Sequence, residues 1–418
     1  MNPIKNIKAI EILDSRGNPT VQTKITLKNG VSAKASVPSG ASTGEHEAHE
    51  LRDQDQERYN GLGVLKAVDN VNKIMAKKLK NQDVSKQKEI DKRLIELDNT
   101  KNKSKLGANA ILSVSLACAR AGAKVKGQPL YKYIRETYNF KKKKRFPIPM
   151  MNIFNGGKHA DTNLDFQEFM IVPVLEKNID DKIRVGAEIF HVLGQILREK
   201  GYDTDVGNEG GYAPDIDHTI DALDMIMTAI KRAGYEPGRD VFLATDVGAS
   251  ILYDQKKKEY IFKLDNSSLS SDQLIELYST WLKKYPFISI EDGLDEDDFS
   301  GWQKMNHELG DKVMLVGDDL FVTNIKRLEK GIKEKLANAI LIKPNQIGTL
   351  SETIDCINLA QKNKFKINVS HRSGETNDDF ISDLAFACGA DFIKAGAPSR
   401  GERLAKYNRL LEIYEQEK

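Results

Sequence analysis

The last two thirds of the chain repeat one pattern: a short apolar run that ends on a charged residue, then a helical stretch. It is clearest over 313–346, where Val-Met-Leu-Val-Gly-Asp-Asp delivers Asp318 and Asp319, and Ala-Ile-Leu-Ile-Lys delivers Lys343. A buried strand that finishes on an acid or a lysine sets that group at its C-terminal end, where parallel α/β folds build their sites. Six such units start from runs at 241–246, 287–291, 313–317, 339–343, 366–370 and 392–394. Two strand-like runs, 147–154 and 169–174, and two helical stretches, near 180–200 and 219–234, precede them. Eight strands alternating with helices imply a parallel sheet closed into a βα barrel of ββαα(βα)6 type, spanning 146–418. An open doubly wound sheet would want a glycine-rich phosphate turn, and no G-x-G-x-x-G or Walker pattern is present.

The first third reads differently. Alternating runs at 7–13, 21–27 and 31–37, with Asn29-Gly30 between the last two, predict a three-stranded antiparallel meander. Helical patterns follow at 64–79, 85–97 and 107–126. The expectation is an α+β domain over 1–140. The loop 38–47, Pro-Ser-Gly-Ala-Ser-Thr-Gly-Glu-His-Glu, is either a plain surface loop or a mobile lid whose hydroxyls reach a ligand or metal.

Composition narrows the function. Of 418 residues, 40% are hydrophobic and 30% charged, with no long apolar stretch, which argues against a membrane protein. A net charge of +2 gives no general attraction to nucleic acid. The one dense basic run, Lys141-Lys142-Lys143-Lys144-Arg145, reads as a solvated linker. Cys118, Cys356 and Cys388 lack metal-like spacing and read as buried free thiols; with no signal-peptide pattern at the start, a cytoplasmic location is expected.

The strand ends carry the chemistry. Asp246, Glu291 and Asp318 close three consecutive barrel runs. Adjacent strands are about 4.8 Å apart, so the three carboxylates converge and require a cation. An all-oxygen set favours Mg2+ over Zn2+. Lys343, Arg372 and Lys394 form an opposing cationic arc suited to a phosphate or carboxylate substrate. A lysine beside a metal in a dry mouth has its pKa lowered and can act as a base. His159, Gln167-Glu168 and Glu209, in Gly-Asn-Glu-Gly-Gly, complete the set. Spacing alone reaches a metal-dependent barrel enzyme handling a small anion.

Longer motifs go further. Leu13-Asp14-Ser15-Arg16-Gly17-Asn18-Pro19-Thr20-Val21, the 37–44 loop, Lys103 to Ala110, Gln167-Glu168-Phe169-Met170, Ser289 to Leu294, Gly317-Asp318-Asp319-Leu320, 341–348 and Ser370 to Glu375 resemble the enolase family over nearly the whole chain. The resemblance implies Mg2+-dependent, reversible dehydration of 2-phosphoglycerate to phosphoenolpyruvate, with two Mg2+ per site, the second arriving with substrate. It assigns Asp246, Glu291 and Asp318 to the first ion and Ser42 to the second. Lys343 takes the C2 proton, and Glu209, with Glu168, protonates the C3 hydroxyl. Arg372 and Ser373 bind phosphate and Lys394 binds carboxylate, while His159, His371 and Gln167 line the substrate. A homodimer, or an octamer built from dimers, is implied.

Several positions depart from the family pattern. Asn208 replaces an aspartate beside the acid, Asn99 a glycine, Ala395 a threonine and Gln22 a glutamate of an intersubunit ion pair; Ile251 and Leu252 replace a more acidic or aromatic pair. Two other readings stay open: a superfamily member acting on a different acid, and an enolase-like scaffold or cell-surface receptor working through Lys418 or the 141–145 run.

Overall fold

A computed structural model describes residues 2–41 and 44–418. The chain opens with β1 (Ile4–Leu13), β2 (Pro19–Leu27) and β3 (Ser32–Ser36), an antiparallel meander as the alternation predicts. Its buried face, with Ile7, Ala9, Val21 and Ile25, packs on the alanine-rich helix Ala108–Val125, where Thr23 Oγ1 meets Ser113 Oγ at 2.7 Å. The β1–β2 turn is built by Asp14, whose Oδ1 accepts from the Arg16 and Asn18 amides at 2.8 and 2.9 Å.

Helix Gln87–Asp98 ends on Asn99 in the left-handed region, φ 55, with its N–H on the Ile95 carbonyl. Asparagine tolerates this conformation, so the turn keeps its geometry without the family's glycine. The predicted helix at 64–79 is one run interrupted by a wider π turn over Asn70–Met75. There the Asn72 amide bonds both backbone groups of Ala9 on β1, at 2.8 and 3.1 Å. A further helix, Leu130–Tyr138, escaped the sequence reading.

The barrel begins with β4 (Ile148–Asn155), β5 (Glu168–Pro173) and β6 (Val241–Asp246). A small antiparallel sheet follows, β7 (Tyr253–Asp254), β8 (Glu259–Phe262) and β9 (Ser267–Leu269), whose strands are too short for periodicity to reveal. The remaining barrel strands are β10 (Phe287–Glu291), β11 (Met314–Gly317), β12 (Ala339–Ile342), β13 (Lys366–Ser370) and β14 (Phe392–Lys394). They close in the order β4-β5-β6-β10-β11-β12-β13-β14, with β14 pairing β4. The interior is packed by Met150, Met170, Val172, Ala244 and Phe392, and by Val316, Ala339 and Leu341.

The sheet is not wholly parallel, as the alternation implied. β5 runs antiparallel to both neighbours. Residues 156–167 carry only one turn of helix, Gly157–His159, too little for a parallel crossover, so the chain doubles back. The reversal brings the start of β5, Gln167-Glu168, to the mouth where the other strands end. In register, Glu168 lies beside Asp246.

The basic run is no free linker. Lys142 lies 3.3 Å from Asp391, Arg145 contacts the same carboxylate, and Lys144 reaches Glu417 at 2.8 Å. No helix among the described residues is long and apolar enough to cross a membrane.

One buried carboxylate joins the helices around the meander to the barrel. Asp91 accepts from Gln87 (2.9 Å), Ser115 (2.7 Å) and both the amide and hydroxyl of Ser351 (3.0 and 2.7 Å), capping helix Leu350–Lys362 from another element. Burial pushes it up to about 6 despite these four bonds. The native state therefore binds a proton that the unfolded chain releases between pH 4 and 6, and stability at this site falls as pH rises through that window. Urea unfolding of wild type and Asp91→Asn should show a difference that shifts by roughly 2–3 kcal/mol against wild type between pH 4 and pH 7. A pH-independent difference would contradict this.

Candidate active site

Lys394, the last residue of β14, sits at the centre of the mouth. Its Nζ lies 3.2 Å from Glu168 Oε2, 3.2 Å from Asp246 Oδ2 and 2.9 Å from Glu291 Oε1. The acids come from the adjacent strands β5, β6 and β10, while β4 separates them from β14. The sequence reading set Lys394 on an arc facing the acids; its long stem instead carries the ammonium in among them. Three converging buried carboxylates demand a cation there. Burial opposes the charge on Lys394, but Glu168, Glu291 and Asp246 outweigh it and hold the ammonium well above its ordinary range. Glu291 is pushed well above the carboxylate range by burial, with Asp246 and Asp318 adding to the effect against Lys394. Its Oε2 is buried without a hydrogen-bond partner among the described residues.

Lys343, just beyond β12, contacts Asp318 Oδ2, and Gln346 donates to Asp318 Oδ1 at 2.8 Å. Asp292, at the end of β10 with φ 41, accepts from the Asp318 and Asp319 amides at 2.9 Å each and so fixes that corner. The lowered Lys343 pKa is expected beside a bound metal; against the protein's own groups the balance is set by Asp318. Burial lowers it, but the touching Asp318 carboxylate wins, and the ammonium stands above its ordinary value.

Across the mouth, His159 Nδ1 is 3.3 Å from both Glu168 Oε1 and Glu209 Oε1. Glu209 also receives Asn152 Nδ2 at 3.0 Å and lies 3.4 Å from His371 Nε2. Burial drives both glutamates up. For Glu209, His159 and His371 reverse the effect and hold it well below the ordinary range. For Glu168, the Glu209 charge adds to burial and lifts it to about 7. Near neutrality Glu168 therefore takes up a proton more readily than Glu209, which stays ionised. Burial also pushes His371 down to about 3, so its ring is neutral. Asn208 acts through its backbone, its N–H on the His159 carbonyl (2.8 Å) and its carbonyl on Arg403 (2.8 Å). Its side chain makes no hydrogen bond among the described residues.

On the remaining side, the Arg372 guanidinium is gripped by both oxygens of Glu47, at 2.8 and 3.1 Å. Ser373 Oγ accepts from the Ala41 amide at 2.7 Å. The 38–47 loop is thus tied over the mouth, and Glu45 N–H adds a bond to Glu296 at 3.2 Å. Ser42, expected at a second metal, lies with Thr43 outside the described residues. Gln167 packs against Gly248, where any Cβ would lie 1.9 Å from its Nε2. The two border a cavity of about 940 Å3 that Ile251 and Leu252 also line.

The donors suit a hard divalent cation. They are all oxygens, and one Glu291 oxygen is unpaired in a dry site. Carboxylate oxygens of Asp292, Asp318 and Asp319 also lie within 4.8 Å of one another. Asp246, Glu291 and Asp318 do not converge that closely, since the two lysines draw on them. Sequence reasoning missed Glu47 and Arg403 as site residues and, having placed Asp292 with Glu291 at a strand end, gave it no role. Glu47 lay in the flagged loop, Asp292 directly followed Glu291, and Arg403 was hidden in an amphipathic helix.

Fold and site together define a capped βα-barrel enzyme whose buried mouth sets lysines against a ring of carboxylates. The chain belongs to the enolase family: "Enolase, C-terminal TIM barrel domain" matches residues 143–417 and "Enolase, N-terminal domain" matches residues 4–134. It is accordingly a lyase of the hydro-lyase kind, in a family whose members bind divalent metal.

Lys394→Met should leave Glu168, Asp246 and Glu291 without their shared ammonium. At pH 8 without divalent metal, the folded state should lose roughly 3–5 kcal/mol. Millimolar Mg2+ should restore part of this loss, as read by thermal unfolding. An unchanged midpoint would contradict the role given to this ion cluster.

Proposed function

We propose that the chain catalyses the reversible dehydration of 2-phosphoglycerate to phosphoenolpyruvate, using two Mg2+ per site. One observation carries this reading. β12, which delivers Lys343, stands opposite β5, which delivers Glu168, four strands away in the eight-stranded ring. A small substrate between them meets a base on one face and a proton-bearing carboxyl pair on the other, as loss of a C2 proton and a C3 hydroxyl requires.

In this reading Lys343 removes the C2 proton. Glu209 protonates the departing hydroxyl, with Glu168 as proton reservoir and His159, 3.3 Å from each, linking them. Arg372 and Ser373 take the phosphate once Glu47 leaves the Arg372 fork. Lys394 holds the substrate carboxylate, while His371 and Gln167 shape the pocket. Asp246, Glu291 and Asp318 would hold the first ion and Ser42 would serve the second. Mg2+ bound there would supply positive charge against the doubly negative carboxylate that forms on deprotonation and would draw Asp318 away from Lys343. A lysine base beside Mg2+ is a general pattern of enolase-superfamily sites, so that pairing comes from the family as much as from the geometry of this chain.

We further infer a cytoplasmic homodimer or an octamer of dimers. Three free buried thiols, Cys118, Cys356 and Cys388, fit a reducing compartment. Leu13, 55% exposed, lines a cleft of about 540 Å3 with Gln22, Arg120 and Glu402, a surface suited to a second copy. Gln22 bonds Ser36 within its own chain at 2.8 Å, so it is already partnered.

Absorbance of phosphoenolpyruvate should rise from 2-phosphoglycerate only with Mg2+. Lys343→Ala should lower kcat by about 10²–10⁴. Solvent-deuterium exchange at C2 separates the two roles: Lys343→Ala should abolish it, whereas Glu209→Gln should keep exchange and lose dehydration. Loss of exchange in both variants would overturn the division of labour. A wild type without turnover would favour the scaffold reading.

A further inference from the structure

We propose that Arg403 is a positioning residue that fixes the tautomer of His371 and through it the orientation of Glu209. Arg403 lies in the C-terminal helix Gly401–Glu417 and is fully buried. Its Nη1 donates to His371 Nδ1 and to the Arg372 carbonyl, both at 2.6 Å. Its Nη2 donates to the carbonyls of Ser373 at 2.6 Å and Asn208 at 2.8 Å, with Ser15 Oγ at 3.5 Å. The only acid paired with it among the described residues is Glu402, 3.3 Å from Nε and shared with Arg400 at 2.9 Å.

A guanidinium has no acceptor and does not lose its proton in a protein. The imidazole nitrogen facing it must therefore be the lone-pair nitrogen. That leaves the His371 proton on Nε2, which faces Glu209 Oε2 at 3.4 Å, close but outside hydrogen-bond geometry, and has no other partner among the described residues. The same guanidinium holds the carbonyl just before Glu209, at Asn208, and two carbonyls of the loop that carries Arg372 and Ser373. Its stem is equally constrained: a Cβ on Gly396 would lie 2.7 Å from Arg403 Cδ and 2.6 Å from the Glu209 carbonyl. Burying a cation mainly against carbonyls is expensive. Lysine would offer a point charge in place of the planar fork that reaches a ring nitrogen and three carbonyls at once.

The role assigned to Glu209 rests on the function proposed above, but the tautomer does not, so the two can fail separately. The first test is nitrogen NMR on the full chain with 15N-labelled histidine, His371 being assigned by His371→Asn. Wild type should show protonated Nε2 and unprotonated Nδ1 at neutral pH. The reverse tautomer overturns the proposal whether or not any variant folds. Arg403→Met should give mixed tautomers and a kcat reduced about 10- to 100-fold with KM for 2-phosphoglycerate changed less than threefold, roughly the scale of lost second-layer support. Arg403→Lys should recover part of kcat. In a His371→Asn background, the same Arg403→Lys change should have a smaller effect. An equal effect in both backgrounds would mean that Arg403 acts only as a structural tie, and the proposal fails.

Discussion

The arrangement depends on a surplus of buried negative charge at one end of a closed barrel. Glu168, Glu209, Asp246, Glu291, Asp292, Asp318 and Asp319 gather there against Lys343, Lys394, Arg372 and Arg403. Removing one member of such a set leaves an uncompensated charge in a dry place. Lys394 answers three carboxylates at once, and Asp292 spends both oxygens on backbone amides. The unpaired Glu291 oxygen and the raised affinities of Glu291, Asp292 and Asp319 for protons mark where cations remain short.

This constraint gives the irregular parts of the fold a purpose. Were β5 parallel to its neighbours, Glu168 would sit at the far end of the barrel, and Lys394 would lose one of its three partners. The short 156–167 connection that forces the reversal also carries His159 to the mouth. The C-terminal helix supplies Arg403 beneath the two loops that hold Glu209 and Arg372. From above, Glu47 and Ala41 tie the 38–47 loop to Arg372 and Ser373. The Glu168–Glu209 pair and the Arg372–Ser373 loop are thus braced from different elements.

Much of this was legible in the chain. The barrel strands 241–246, 287–291, 366–370 and 392–394 fall where apolar runs end on polar groups, because a strand buried on both faces leaves only its tip free for charge. The antiparallel meander followed from simple alternation. What escaped depends on three-dimensional pairing. Periodicity cannot say that a long lysine stem crosses the mouth to join Glu168, Asp246 and Glu291. Nor can it say that Asp318 reverses the effect of burial on Lys343, or that Glu47 enters the Arg372 fork. Arg403 carries no local signal, since a charged residue in an amphipathic helix ordinarily faces water. The strands of 253–269, two to four residues each and separated by turns that carry Lys256, Lys257, Lys258 and Lys263, fall below the length at which alternation can be read.

The central claim is that this acidic mouth is built to take a divalent cation on oxygen ligands that include Glu291. The direct measurement is a calorimetric titration of MgCl2 into the wild-type protein and into Glu291→Gln, at pH 8 without substrate, both proteins having first been matched for thermal unfolding. The account predicts saturable binding by wild type and at least about 10-fold weaker binding by the variant. Binding that is absent at millimolar Mg2+ in the wild type, or equal in the two proteins, would contradict it.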